Sequence, residues 1–401
     1  MEKKGKKLPG ALLFLLSALG IMFGLATAGS ALKILFTVSN LPLEPSGLWT
    51  LLPPAGLALT IGALQVPLAI AAWKRIRGRP IPAPQPSLFR ASQTALVVWV
   101  FLLIGGFFLS REQSAPASLA VVTIAAVLLP VWFLVEFFRR NLPRSTTLRE
   151  WGSLSIGLSI APVMILVLES AILIAAALAM AIILGFNTNF LSQIQQLPLE
   201  MMPGQNSLES LETALYTLAQ NPVIAAGILL VLGGIAPFVE ELFKPMAVWF
   251  LLKRPLTNRE GYTLGLISGG AFALLESLGV INQISGTEWI AAILLRAGTG
   301  VLHIGLSGLV GYGLVKSFNE KHFERYALYQ LAATALHGGW NSLALATGFS
   351  AAHVPENIIN GNNWLLQTAA VALMGAIFIT IILINLKIQR TLSAQISEPV
   401  I

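Results

Sequence analysis

Apolar stretches long enough to cross a bilayer recur along the whole of this 401-residue chain, and they leave little choice of fold. The hydrocarbon core of a membrane is roughly 30 Å thick, which takes about 20 helical residues to span. A backbone in that medium finds no water to bond, and a helix satisfies its N–H and C=O groups internally. Hydrophobic residues make up 55% of the chain and charged residues only 11%, too few to cover a soluble protein of this size. The expected fold is an all-α, polytopic membrane helix bundle.

The segments 11–32, 50–73, 94–110, 117–138, 153–185, 222–252, 261–281, 289–315, 327–348 and 364–386 read as about ten transmembrane helices. Charge in the intervening loops sets their orientation. The N-terminus, every second loop and the tail together hold 21 of the 25 basic residues. The alternate loops hold only Lys33 and Arg111, and Lys244 and Arg296 lie within spans. This regularity predicts both termini on the cytoplasmic side. It also explains the net charge of +7 without nucleic acid. Residues 1–32 resemble a signal peptide, with Ala26-Thr27-Ala28 as a possible cleavage site, but the long apolar stretch favours a retained anchor. The Pro-rich stretch 79–86 reads as an extended linker, and the outward loop 186–221 as carrying a short amphipathic interfacial helix.

Cysteine is absent, which excludes disulfides and thiolate chemistry. Aspartate is absent too: all 18 acids are glutamate, so neither an aspartyl protease nor a Ser-His-Asp triad is possible.

The chain divides near residue 150. The first four spans, within 1–150, carry no ionisable residue near the midplane and have no evident role, whereas 151–401 carries all such residues. Ionisable groups inside a bilayer are costly and point to function. Glu240 lies 13 residues from Lys253, Glu276 lies 15 from Gly261, His303 lies 13 from Lys316 and His337 lies 12 from Arg325. At 1.5 Å per residue these groups are roughly 18–23 Å from their cytoplasmic helix ends, at one common level.

Glu, His and His are a known set of zinc ligands that leaves a fourth position to water. A further Glu can serve as general base and Asn341, four residues after His337, as an oxyanion donor. Lys244 follows Glu240 by four residues and can neutralise the Glu240-Glu241 pair, and Pro237 is expected to kink the helix before it. Arg296 stands two turns from His303, and Glu169 lies at a similar depth as a supporting partner. Each residue also has a plainer reading. Glu240–Lys244 is a possible structural ion pair, and a single buried His is commonly an interhelical hydrogen bond. Glu136, beside Arg139 and Arg140, reads as paired at a helix end.

The order of motifs resembles the PrsW intramembrane proteases, related to the type II CAAX prenyl endopeptidase superfamily. The resemblance rests on Glu240-Glu241-Leu-Phe-Lys244, Phe272-Ala-Leu-Leu-Glu276, Arg296 with His303, the Gly-rich run to Gly313, and His337-Gly-Gly-Trp-Asn341. It covers residues 222–348 and implies cleavage of a membrane-anchored protein, such as an anti-sigma factor, in a cell (inner) membrane. By that resemblance Glu240 and Glu241 activate water, Glu276, His303 and His337 position it or a metal, and Asn341 supports the oxyanion. Ser277 stands where Asn is expected after Glu276, and Asn341 where many members carry Asp. Both a zinc mechanism and a metal-free glutamate mechanism are compatible with the resemblance.

Three other functions fit parts of the pattern. A proton- or cation-coupled transporter would use the same buried Glu and His residues, although no internal repeat is evident. A silent scaffold would use them only to pin helices together. A serine protease built on Ser307 with His337 would leave the glutamates without a role. Substrate, cleavage position and oligomeric state are not encoded in any recognisable motif.

Overall fold

The computed structural model describes residues 10–38, 52–81, 87–111, 116–185, 222–281, 288–351 and 363–397. Every regular element among them is helical. Nine of the helical segments are long and apolar enough to cross a membrane. The remaining expected segment, 327–348, is helical too, but Gln330, Thr334, His337, Asn341 and Ser342 make it too polar to qualify by composition. The chain is thus a multi-pass helical membrane protein. The interfacial helix expected within 186–221 and the prolines of 82–86 lie outside the described residues.

The helices are α1 (Gly10–Val38), α2 (Leu52–Ile76), α3 (Phe89–Leu109), α4 (Pro116–Arg139), α5 (Thr147–Leu158), α6 (Ile160–Gly185) and α7 (Pro222–Leu230). A π-helical turn, Val231–Ile235, leads into α8 (Ala236–Phe243), which is followed by α9 (Met246–Leu251), α10 (Asn258–Ile281), α11 (Glu288–Glu320), α12 (Phe323–Ala351) and α13 (Asn363–Ser397). Two of the expected spans are interrupted, and proline explains both. The segment read as 153–185 starts earlier, at Thr147, where the Thr146 hydroxyl caps the helix by accepting the Arg149 N–H. It then breaks at Ser159, because Pro162 gives no N–H to the Leu158 carbonyl. The segment read as 222–252 is divided by the π-turn before Pro237 and by the Lys244-Pro245 turn.

The chain forms two compact units, the first from residues 1–163, 242–330 and 381–401, the second from 164–241 and 331–380. In the first, α10 is the central helix. It packs on α4, α5 and α11, and 78% of its apolar stretch is buried although it carries Thr263, Ser268 and Ser277. Helix α1 pairs with α2, and α3 with α4. Trp289 of α11 is fully buried, with its indole N–H donating to the Thr123 hydroxyl at 2.9 Å. The end of α13 is tied in by Tyr262, whose hydroxyl donates to Asn385 Oδ1 at 3.0 Å, and by Gln389, which donates to the Arg140 carbonyl at 2.6 Å. Glu136 is paired as expected, but with Arg139 and Arg144. Arg140 lies instead over the Phe137 ring.

The second unit joins α6 from Met164 onward, α7, the π-turn, α8 as far as Glu241, α12 from Leu331 onward and α13 up to Thr380. Ile224, Ile228 and Met180 form its small apolar cluster. Large apolar residues such as Phe101 of α3 and Leu166, Ile174 and Leu178 of α6 are exposed, as lipid-facing surfaces require.

Candidate active site: two Glu/His clusters

Glycine spacing builds the cluster of the first unit. Gly261, Gly265 and Gly269 recur every fourth residue and so form one stripe along α10. A Cβ at Gly265 would stand 2.3 Å from the Ser307 carbonyl oxygen, and one at Gly269 would stand 2.4 Å from the His303 carbonyl oxygen. The α10 and α11 backbones therefore touch, as small residues permit in membrane helices. Ser307 and Gly308 serve this contact, which accounts for them without nucleophilic chemistry.

Two turns beyond Gly269, Glu276 meets His303 at 2.6 Å (Oε2 to Nε2). Arg296 reaches the same carboxylate oxygen at 2.9 Å and donates from Nε to the Ser277 hydroxyl at 3.2 Å. On the other side of the imidazole, Lys244 Nζ is 2.7 Å from His303 Nδ1. Lysine can only donate, so Nδ1 accepts, and the ring proton belongs on Nε2, facing Glu276. Lys244 is completely buried. Its Nζ lies 4.7 Å from the centroid of the Phe272 ring, which meets His303 edge-on. Ser268 donates its hydroxyl hydrogen to the Lys244 carbonyl and so anchors the backbone at the turn.

The cluster of the second unit is built on proline. Pro237 has no N–H, and the helix before it widens into the π-turn, where the Ala236 N–H bonds back to Val231. Asn341 Nδ2 donates to the neighbouring Leu232 carbonyl at 3.2 Å. Gly338 lies so close that a Cβ there would fall 1.9 Å from the Gly233 carbonyl oxygen. That contact sets His337 against α8. His337 Nδ1 lies 2.9 Å from Glu241 Oε1, and its Nε2 lies 3.9 Å from Glu240 Oε2. Glu241 and His337 are buried, while the Glu240 side chain is 15% exposed. Glu169 is half-buried on α6 in this same unit.

The expected residues thus assemble by unit: Lys244, Glu276, Arg296 and His303 in one, and Glu240, Glu241, His337 and Asn341 in the other. Sequence reasoning missed Phe272, Ser268 and Ser277 as partners of the cluster. For Ser277 a signal existed, since it directly follows Glu276, whose partner Arg296 needed a second acceptor.

The chemistry of the second cluster suits a divalent cation. A carboxylate on Nδ1 fixes the ring and raises its basicity, the usual support of a metal-binding histidine. The 3.9 Å from Nε2 to Glu240 is too long for a hydrogen bond. It compares with a spacing of roughly 3.4 Å between two ligand atoms on one tetrahedral zinc.

Buried glutamate and histidine inside a multi-pass helical protein suit a membrane-embedded, metal-using hydrolase. Residues 157–374, more than half of the chain, match the PrsW family intramembrane metalloproteases. The chain belongs to this family. It is accordingly an intramembrane protease, whose substrate is a membrane-embedded protein. No curated protein and no solved structure matches it.

Proposed function

We propose that this protein hydrolyses a peptide bond of a membrane-anchored protein using a metal ion, zinc by the nature of its donors, with Glu240 and His337 of the second unit among its ligands. Each of the two offers one ligand atom, and carboxylate and imidazole are donors of catalytic zinc sites that keep a position for water. A bound metal would polarise that water and the scissile carbonyl. The observation that carries the reading is the Glu241–His337–Glu240 arrangement, with one carboxylate on Nδ1 at 2.9 Å and a second carboxylate 3.9 Å from Nε2.

Glu241 holds the His337 ring in one tautomer, with the proton on Nδ1. In the first unit Lys244 donates to His303 Nδ1, and His303 Nε2–H donates to Glu276, so the ring is held in one tautomer and one orientation. Arg296 steadies the Glu276 carboxylate. Glu276, assigned from sequence to the metal, therefore acts here on His303. The glutamate pair serves water activation through the metal: Glu240, the more exposed of the two, as a ligand, and Glu241 through its hold on His337. Asn341 supports the π-turn that aims α8. Catalysis belongs to 151–401, and 1–150 carries no part of the donor set. By family resemblance the substrate is of the anti-sigma-factor type and the location the inner cell membrane, with the basic loops cytoplasmic.

Metal content of the detergent-purified protein tests the reading without a substrate. Wild type is expected to carry about one zinc per chain, and His337→Ala and Glu240→Gln to carry almost none. A metal-free wild type that cleaves its substrate in the presence of chelator would overturn it.

A further inference from the structure

The first unit holds two cavities, and their charges differ. The larger, about 530 Å³, is edged by Arg139 and Arg144, but Glu136 and Glu150 pair with both arginines and neutralise them. The smaller, about 360 Å³, is edged by Arg75, Arg149 and Arg254. Glu260 pairs with Arg149. Burial, and after it the like charges of Arg149 and Arg75, hold the Arg254 guanidinium below its ordinary value. Among the described residues these three half-buried guanidinium groups have a single carboxylate partner, Glu260 on Arg149.

The interior of the smaller cavity has a different character. Leu13, Leu148, Ile156 and Phe250 make it apolar. Ser153 also lines it, only 1% exposed, and its hydroxyl has no hydrogen-bond partner among the described residues. A buried hydroxyl left in this state is destabilising, so a ligand oxygen that accepts from it would be stabilising. The arginines follow the ends of membrane-spanning segments, Arg75 at the end of α2 and Arg254 just after α9. An anionic mouth requirement, an apolar floor and a lone buried donor between them match one chemical class.

We propose that this cavity is a binding site for an anionic phospholipid. The phosphodiester is held by Arg75, Arg149 and Arg254, a glycerol ester oxygen accepts from Ser153, and the acyl chains start along Leu13 and Phe250. Guanidinium groups suit phosphate because they donate in parallel pairs, and basic pockets between membrane helices recognise acidic headgroups. A single soluble phosphate would satisfy the arginines but would leave the apolar floor uncovered. The site does not depend on the protease reading. Its wall includes Ala247, Phe250 and Leu251, so an occupied site also braces the segment that begins at Lys244.

Native mass spectrometry of the full-length protein, loaded with dioleoyl phosphatidylglycerol or dioleoyl phosphatidylcholine in detergent, tests the site. Wild type should keep a phosphatidylglycerol adduct and lose phosphatidylcholine, and millimolar glycerol phosphate should not displace the lipid. Arg75→Gln with Arg254→Gln should weaken retention about tenfold or more. Gly152→Leu tests the floor separately. A Cβ at Gly152 meets only Leu13, at 4.0 Å, so the added side chain should fill the cavity without forcing the backbone. That variant should unfold no earlier than wild type and lose the adduct. Equal retention of both lipids, displacement by glycerol phosphate, or an undiminished adduct in either variant would overturn the proposal, and each variant decides alone.

Discussion

The two Glu/His clusters use the same residue types under opposite electrostatics. In the first unit, Lys244 and Arg296 outnumber Glu276 around His303. In the second, Glu240 and Glu241 flank His337. A cationic frame disfavours a metal ion, whereas an anionic frame draws a metal in and compensates its charge. Metal affinity should therefore reside mainly in the second cluster. The construction differs as well. Glycines bring α10 and α11 together in the first, and a proline-induced π-turn aims α8 in the second.

The largest effects should come from removing the anionic frame. Glu240→Gln keeps the shape of the side chain and removes its charge, and should lower metal content and cleavage by more than about 100-fold. Glu241→Gln leaves all the proposed donors in place and loosens only the hold on His337, so about 10- to 100-fold is expected. Metal analysis beside a cleavage assay separates the two, because the second variant should regain metal at high zinc and the first should not. Equal metal loss in His303→Ala and His337→Ala would show that the asymmetry between the clusters is not real.

Packing substitutions come next, and they sharpen the contrast in construction. Gly265→Ala places a methyl group against the Ser307 carbonyl and must push α10 from α11. Overpacking of this kind costs typically about 1–3 kcal/mol. The unfolding temperature in detergent should fall, and activity with it, since the Glu276–His303 contact depends on that approach. Gly279→Ala is the control, because among the described residues nothing lies within 4 Å of its Cβ position. It should match wild type in both measurements.

Much of this was legible in the sequence. Helical class followed from hydropathy, and the depth count singled out Glu240, Glu276, His303 and His337, each of which has a site partner in its own unit. The breaks were only partly legible. Pro237 announced an irregularity, but whether a helix answers a missing N–H by kinking or by a π-turn depends on its neighbours. Here Asn341, 109 residues further along the chain, covers the Leu232 carbonyl. The partner of Lys244 was hidden for a related reason. Local spacing points to Glu240 on the same helix, whereas the turn at Pro245 and the anchor from Ser268 direct the ammonium to His303. Periodicity reports contacts along one helix, and contacts between helices depend on close approaches that only the folded chain defines.

The smallest predicted effect concerns that lysine. If its role is to donate a hydrogen bond to His303 Nδ1, then Lys244→Gln, which can still donate, should lose less than about tenfold in cleavage. Lys244→Leu leaves the buried Nδ1 without this donor, a loss of roughly 1–3 kcal/mol where a buried polar group is stranded, and should be the more damaging of the two. If the positive charge itself is what matters, holding off the metal or offsetting the adjacent glutamates, the two variants should be equally impaired. Metal content should stay near that of wild type in Lys244→Gln, because the anionic frame around His337 is intact. A fall as deep as that of Glu240→Gln would move the origin of metal affinity to the first cluster and reverse the comparison.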